Sequence, residues 1–202
     1  AEPGLAATPG AVDVAPKQPI VHVSPAFQSA SHAFVAKLDP AGALLWAARL
    51  GGNDHDRGTS VAVDAAGFVY VGGKTASTTF TTAGGFGAGY PWVARACLNA
   101  TPEVGFVAKL SPDGRTIVLS GYVPAHGDQL DRCANGGALA PLQVFPDELG
   151  DIVVTGVTSI VDRHVGASPA ALEPVPDGSG LLMVVAADGA SVRYASTFAG
   201  SG

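Results

Sequence analysis

Charge is scarce in this sequence. Asp, Glu, Lys and Arg make up only 14% of its 202 residues, and the eleven basic residues are scattered through a chain of formal net charge −6. Duplex nucleic acid requires a basic face to neutralise its phosphates, so this balance excludes a nucleic-acid binder. Long hydrophobic runs are also missing. The longest, Ala43–Leu50 and Gly180–Ala187, fall far short of the roughly 20 residues a membrane-spanning helix needs. There are two cysteines, Cys97 and Cys133, too few for a disulfide scaffold. No hydrophobic leader is visible. Ala1-Glu2-Pro3 fits a mature terminus left by signal cleavage, and equally a cytosolic or trimmed chain, so it decides nothing. The five histidines (His22, His32, His55, His126, His164) never fall at i, i+4 or in an H-E-x-x-H frame. A G-x-S-x-G elbow, a C-x-x-C pair and a P-loop are absent as well.

Gly (27) and Pro (15) are abundant, beside 47% hydrophobic residues. So many breakers argue against helices, whose interiors lose about 1 kcal/mol per Gly and about 3 per Pro. The apolar content argues against disorder. Short strands joined by Gly/Pro turns reconcile the two.

The sequence also repeats itself. Ala33-Phe34-Val35-Ala36-Lys37-Leu38-Asp39-Pro40-Ala41-Gly42 aligns without gaps on Gly105-Phe106-Val107-Ala108-Lys109-Leu110-Ser111-Pro112-Asp113-Gly114. A weaker third copy runs Gly180–Gly189, so the copies start 72 and then 75 residues apart. Each copy continues into a second apolar stretch. Behind the first two comes a further hairpin pattern, Ser60–Gly72 and Leu142–Gly156. The intervening Asp/Pro/Gly turns suit tight hairpins, and alternation such as Val61/Val63 and Val69/Val71 marks strands with one buried face. Strands are expected over 33–39, 43–50, 60–64, 68–74, 105–110, 115–123, 142–147, 151–157, 180–186 and 191–198. The fold class is all-β, with propeller-type blades of four antiparallel strands in an incomplete ring. The units read as an irregular segment 1–32, a first blade 33–75, an insertion loop 76–104, a second blade 105–158 and a partial third blade 159–202.

Phe-Val-Ala-Lys-Leu-Asp-Pro-x-Gly, Leu-Gly-Gly, an acidic loop, Val-Ala-Val-Asp-x-x-Gly-x-Val-Tyr-Val and Thr8-Pro9-Gly10-Ala11 together resemble the bacterial seven-bladed β-propeller (SBBP) repeat. Ser168-Pro169-Ala170-Ala171 is a looser copy of the last piece. The resemblance covers most of 4–75 and 105–202. It implies the fold and an exported or surface setting, and it brings no catalytic residues with it.

Candidate chemistry is sparse. Asn53, Asp54 and Asp56, with His55 among them, place oxygen donors in a Gly-rich loop, the type of group calcium takes. The loop lacks the acidic twelfth position of an EF-hand, and the second unit offers only Asp128 and Asp131. The bland reading is a self-hydrogen-bonded loop. Tyr90 and Trp92, near Phe86 in the insertion, form a candidate glycan or protein contact, whereas Trp46 sits on a core-patterned strand. Asn99-Ala100-Thr101 is a formal glycosylation acceptor followed by Pro102. Cys97 precedes the first strand of the second blade and Cys133 follows its second. The two strands are antiparallel, so both cysteines lie at one edge and are expected to pair.

The expected function is a non-catalytic extracytoplasmic module that presents loops to protein or glycan, or an accessory structural subunit without a cofactor. The alternative is a propeller enzyme, lyase or quinoprotein-like, with its site at the central channel. A ring takes about 4–8 blades, so the expected partner is a neighbouring chain or further blades. The third unit, ending after two strands, is expected to be the unsupported one, since an isolated hairpin is marginal in water.

Overall fold

The computed structural model describes residues 6–13, 31–84, 104–123, 140–158 and 179–198. They form ten strands: β1 (Ala33–Leu38), β2 (Leu44–Leu50), β3 (Asp56–Val63), β4 (Val69–Thr75), β5 (Val104–Leu110), β6 (Ile117–Val123), β7 (Ala140–Pro146), β8 (Ile152–Thr158), β9 (Ser179–Val185) and β10 (Val192–Phe198). Every expected strand is present, and no helix occurs among the described residues, so none there is long and apolar enough to cross a membrane. β3 starts four residues earlier than the alternation suggests. Its ladder is interrupted by a bulge between Gly58 and Ser60, which masks the period-2 signal there.

The turns follow one chemical plan. Asp39 Oδ1 accepts the Ala41 and Ala43 N–H groups, Asp64 Oδ1 those of Ala66 and Phe68, and Asp147 Oδ1 those of Leu149 and Asp151. In each turn the carboxylate replaces backbone acceptors and sets the reversal, as Asx-turns do. Gly114 and Gly189 close two more turns at φ 68° and 72°, in the left-handed region that disfavours side chains. Both also lie against a preceding sheet: a Cβ on Gly114 would stand 2.6 Å from the Trp46 ring, and one on Gly189 would overlap Leu119. The glycines therefore serve turn shape and sheet stacking together.

Sheet membership corrects the expected blade boundaries. β1 and β2 form a two-stranded sheet, β3-β4-β5-β6 a four-stranded one, and β7-β8-β9-β10 another, all antiparallel. A sheet thus unites the second hairpin of one sequence unit with the first hairpin of the next, and 33–75 is not one blade. β4 and β5 pair continuously from Val69↔Leu110 to Thr75↔Val104 across the long insertion between them. The isolated hairpin is consequently not β9–β10, which pairs with β8, but β1–β2 at the other end.

The sheets stack face to face. One face of the central sheet, with Val69, Val71, Val104, Phe106, Ala108 and Leu110, packs with Val35, Trp46, Ala48 and Leu50 of the hairpin sheet. Its opposite face, with Tyr70, Val107, Leu119 and Val123, packs with Val144, Ile152, Val154 and Met183 of the third sheet. Alternate residues of single strands therefore serve two cores, as sheets buried on both sides require. Lys109 is buried with them. Its ammonium sits 4.8 Å from the Phe68 ring centre and 5.0 Å from that of Tyr70, faces that partly replace lost hydration.

The Thr-Pro-Gly-Ala segment has a structural role. Thr8 donates its N–H to the Ala47 carbonyl and Arg49 donates to Val12, laying residues 8–13 along the outer edge of β2. The same segment reaches the central sheet, where Val12 N–H meets the Gly114 carbonyl. Arg49 grips Asp13 bidentately, both bonds at 3.0 Å. Residues 81–84 repeat this arrangement, with Ala83 exchanging backbone bonds with Ser120 of β6. The expected insertion loop therefore begins as a fifth, strap-like edge, which shields strand edges otherwise open to pairing.

Candidate functional site

The acidic loop forms a buried clasp around Asp56, the first residue of β3, which is 1% exposed. Its Oδ1 accepts the Thr75 hydroxyl at 2.5 Å. Its Oδ2 accepts the Gly52 N–H at 2.9 Å and the Ser77 hydroxyl at 3.1 Å, with His32 Nδ1 at 3.4 Å. One carboxylate thus joins the entry to β1, the β2–β3 loop, the end of β4 and the start of the strap. Desolvation by burial dominates and raises its pKa above the ordinary value, against the lowering effect of the Thr75, Gly52, Ser77 and His32 hydrogen bonds.

Around it the loop closes on itself. Asn53 Oδ1 accepts the N–H groups of Thr78 (2.9 Å) and Thr79 (3.2 Å), and Asp54 Oδ1 that of His55 (2.7 Å). Ser77 Oγ accepts the Asp54 N–H at 2.8 Å while donating to Asp56. His55 Nδ1 accepts the Ser31 N–H at 3.1 Å. Gly51 and Gly52 make the packing possible: a Cβ on Gly51 would come within 2.6 Å of Asp56 Oδ2, and one on Gly52 within 2.6 Å of Ser77 Cβ. Tyr122 of β6 completes the clasp, accepting the Phe80 N–H and donating to the Ser77 carbonyl, both at 2.8 Å. Burial pushes its phenol pKa up, the Phe80 bond opposes that, and the nearby Asp56 charge adds to it.

These contacts decide how the calcium candidates fit. The Asn53 oxygen, one Asp54 oxygen and both Asp56 oxygens already accept protein N–H or O–H groups. Calcium takes six to eight oxygen ligands, and among the described residues no three His, Cys, Asp or Glu side chains converge on one point. The donor set does not fit the ion, and the self-bonded reading of the loop describes it instead. Its chemistry is mechanical, fastening four chain segments through one desolvated carboxylate.

The other candidates are split. Trp46 is buried in the core and donates its indole N–H to the Pro112 carbonyl at 3.2 Å, a packing role. Tyr90, Trp92, Phe86, Asn99, Cys97, Cys133, Asp128, Asp131, His22, His126 and His164 lie outside the described residues. His32, Thr75, Ser77 and Tyr122 were missed by sequence reasoning. The available signal was the Leu-Gly-Gly pair five residues ahead of Asp56, a spacing that only makes sense if the backbone must approach a buried group.

Stacked four-stranded antiparallel sheets, connected inner strand to outer strand and onward to the next sheet, are blades of a β-propeller. Comparison with protein families agrees: the SBBP beta-propeller repeat matches residues 45–81. This chain therefore carries an SBBP repeat there, spanning β2, the Asp56 clasp, β3, β4 and the first strap residues. No curated protein matches the chain.

Proposed function

We propose that this propeller module is a non-catalytic, extracytoplasmic structural piece that docks neighbouring blades and presents its loops to a protein or glycan partner. The observation that carries the reading is the state of repeated positions on successive sheets. Phe106 and Leu110 of β5 are completely buried, whereas their counterparts on β1, Phe34 and Leu38, are 59% and 56% exposed. Leu44 and Leu45 beside them are also exposed. The outer face of the hairpin sheet has the composition of a blade-to-blade interface, and exposed apolar patches of this sort mark interaction sites.

The paired substitution Phe34→Asp, Leu38→Asp tests it. Both side chains are exposed, so folding is expected to survive. Sedimentation velocity across a concentration series should show association of the parent chain and its loss in the variant. Identical sedimentation of the two as monomers would remove this face as a docking surface.

A further inference from the structure

The hairpin sheet is open at a second place, along the free edge of β1 beside the face of β3. The Asp64–Gly67 and Asp147–Gly150 turns are equivalent, which makes Val61 of β3 the counterpart of Val144 of β7. Val144 is 3% exposed and Val61 is 62% exposed, with Val63 at 60%. The difference has a visible cause. β7 packs on the inner hairpin of the central sheet, where Val144 faces Gly72 and donates its N–H to Ser60 Oγ at 3.1 Å. The β1–β2 sheet offers β3 no such inner hairpin among the described residues.

The geometry points to a docking groove for one occupant: a β-hairpin of this repeat's own inner type, supplied by a neighbouring polypeptide. It would pair antiparallel with β1, as β4 pairs with β5, and cover Val61 and Val63 as β3–β4 cover Val144. The chemistry of the occupant follows from the existing interface. A glycine must stand opposite Val61, because a Cβ on Gly72 would lie 2.7 Å from Val144 Cγ1. A hydroxyl in the Ser60 position would accept the Val61 N–H. Alternating valines would supply the apolar face, and the new strand would add backbone bonds by β-augmentation. Residues 14–30 contain three prolines and no glycine, so they do not meet this specification. The inference rests on the docking role proposed above but uses a different surface from Phe34 and Leu38.

The probe is a synthetic peptide copying residues 56–75, titrated against the full chain and read by hydrogen exchange of the β1 amides. Saturable binding below about 1 mM is expected, with slowed exchange at Ala33–Leu38. Val61→Lys with Val63→Lys should weaken binding at least about tenfold by placing charge on the covered face, while leaving the melting temperature of the chain unchanged. A peptide with Gly72→Val should fail to bind, which generic hydrophobic adhesion would not predict. Absence of saturable binding, or binding indifferent to both changes, overturns the groove. So does strong protection of the β1 amides in the chain alone, because the chain's own residues would then fill the site. Loss of the groove with association through Phe34 and Leu38 intact would leave the docking function standing. Peptide binding without that association would do the reverse.

Discussion

Replacing Tyr122 by Phe removes one oxygen and leaves the ring in place, 6.1 Å from Phe80 between centroids. That oxygen satisfies two backbone groups at once, the Phe80 N–H and the Ser77 carbonyl. Both bonds are buried, and a buried group left without a partner costs about 1–3 kcal/mol. Slight relaxation of the strap recovers part of this, so the expected loss is about 2–4 kcal/mol. Such a loss is a large fraction of a typical total of roughly 5–15 kcal/mol. It corresponds to a fall in melting temperature of roughly 5–15 °C for a chain of this size. Urea unfolding followed by tryptophan fluorescence gives the free energy, and native-state hydrogen exchange at Phe80 locates it. The exchange of that amide should accelerate more than amides in β8. A change under about 0.5 kcal/mol, or uniform acceleration everywhere, would refute the claim that this hydroxyl fastens the strap.

The two positive-φ glycines of similar turns separate strain from stacking. Gly42→Ala meets nothing within 4 Å at φ 84° and should cost about 1–2 kcal/mol. Gly189→Ala adds contact with Leu119 and a 2.9 Å approach to the Gly84 carbonyl, so denaturant melts should show a further loss of about 1–3 kcal/mol. Asp56 should show inverted acid behaviour. Its native pKa is raised above the model value 3.8, so the native state binds the proton more tightly. Its contribution is then greatest at low pH and declines as pH rises through the native value. The stability gap between the parent and Asp56→Asn should accordingly narrow from pH 3.5 towards 7, and a gap that widens would contradict the burial argument. Cys97 and Cys133 are expected to pair in exported protein. Their flanking strands β5 and β6 start and end at one edge, Gly105 facing Val123, and titration of the denatured, unreduced chain should find no free thiol.

The hairpins were legible because each is local. Asp39, Asp64 and Asp147 sit two to four residues from the N–H groups they accept, and the alternation of Val69 and Val71 is written in neighbouring letters. The sheet boundaries were not legible for the converse reason. Whether β4 pairs with β5 or β2 with β3 is decided by packing across more than twenty intervening residues, and no local feature of 76–103 announces it. The clasp lay between these cases. Asn53, Asp54 and Asp56 stand out as a polar loop, but what saturates them comes from Ser31 and His32 on one side and Thr75 to Thr79 on the other. The exposure of Val61 was invisible for another reason: its letters match those of a buried strand, and only the missing neighbour makes it a surface.

The half-repeat offset between sequence unit and sheet bears on how such a chain changes length over generations. A genetic crossover that removes or adds one sequence unit joins a β3–β4-type hairpin to a β5–β6-type hairpin drawn from a different copy. Because every internal sheet is already built from two copies, the product still contains only whole sheets inside the stack, wherever in the unit the exchange falls. The Asp turns and Gly-mediated contacts needed at the new junction travel with each hairpin. Copy number can thus drift without creating a misfolded intermediate gene product. Selection on such events falls on the two outermost sheets, where an unmatched hairpin, like β1–β2 here, has to find its complement.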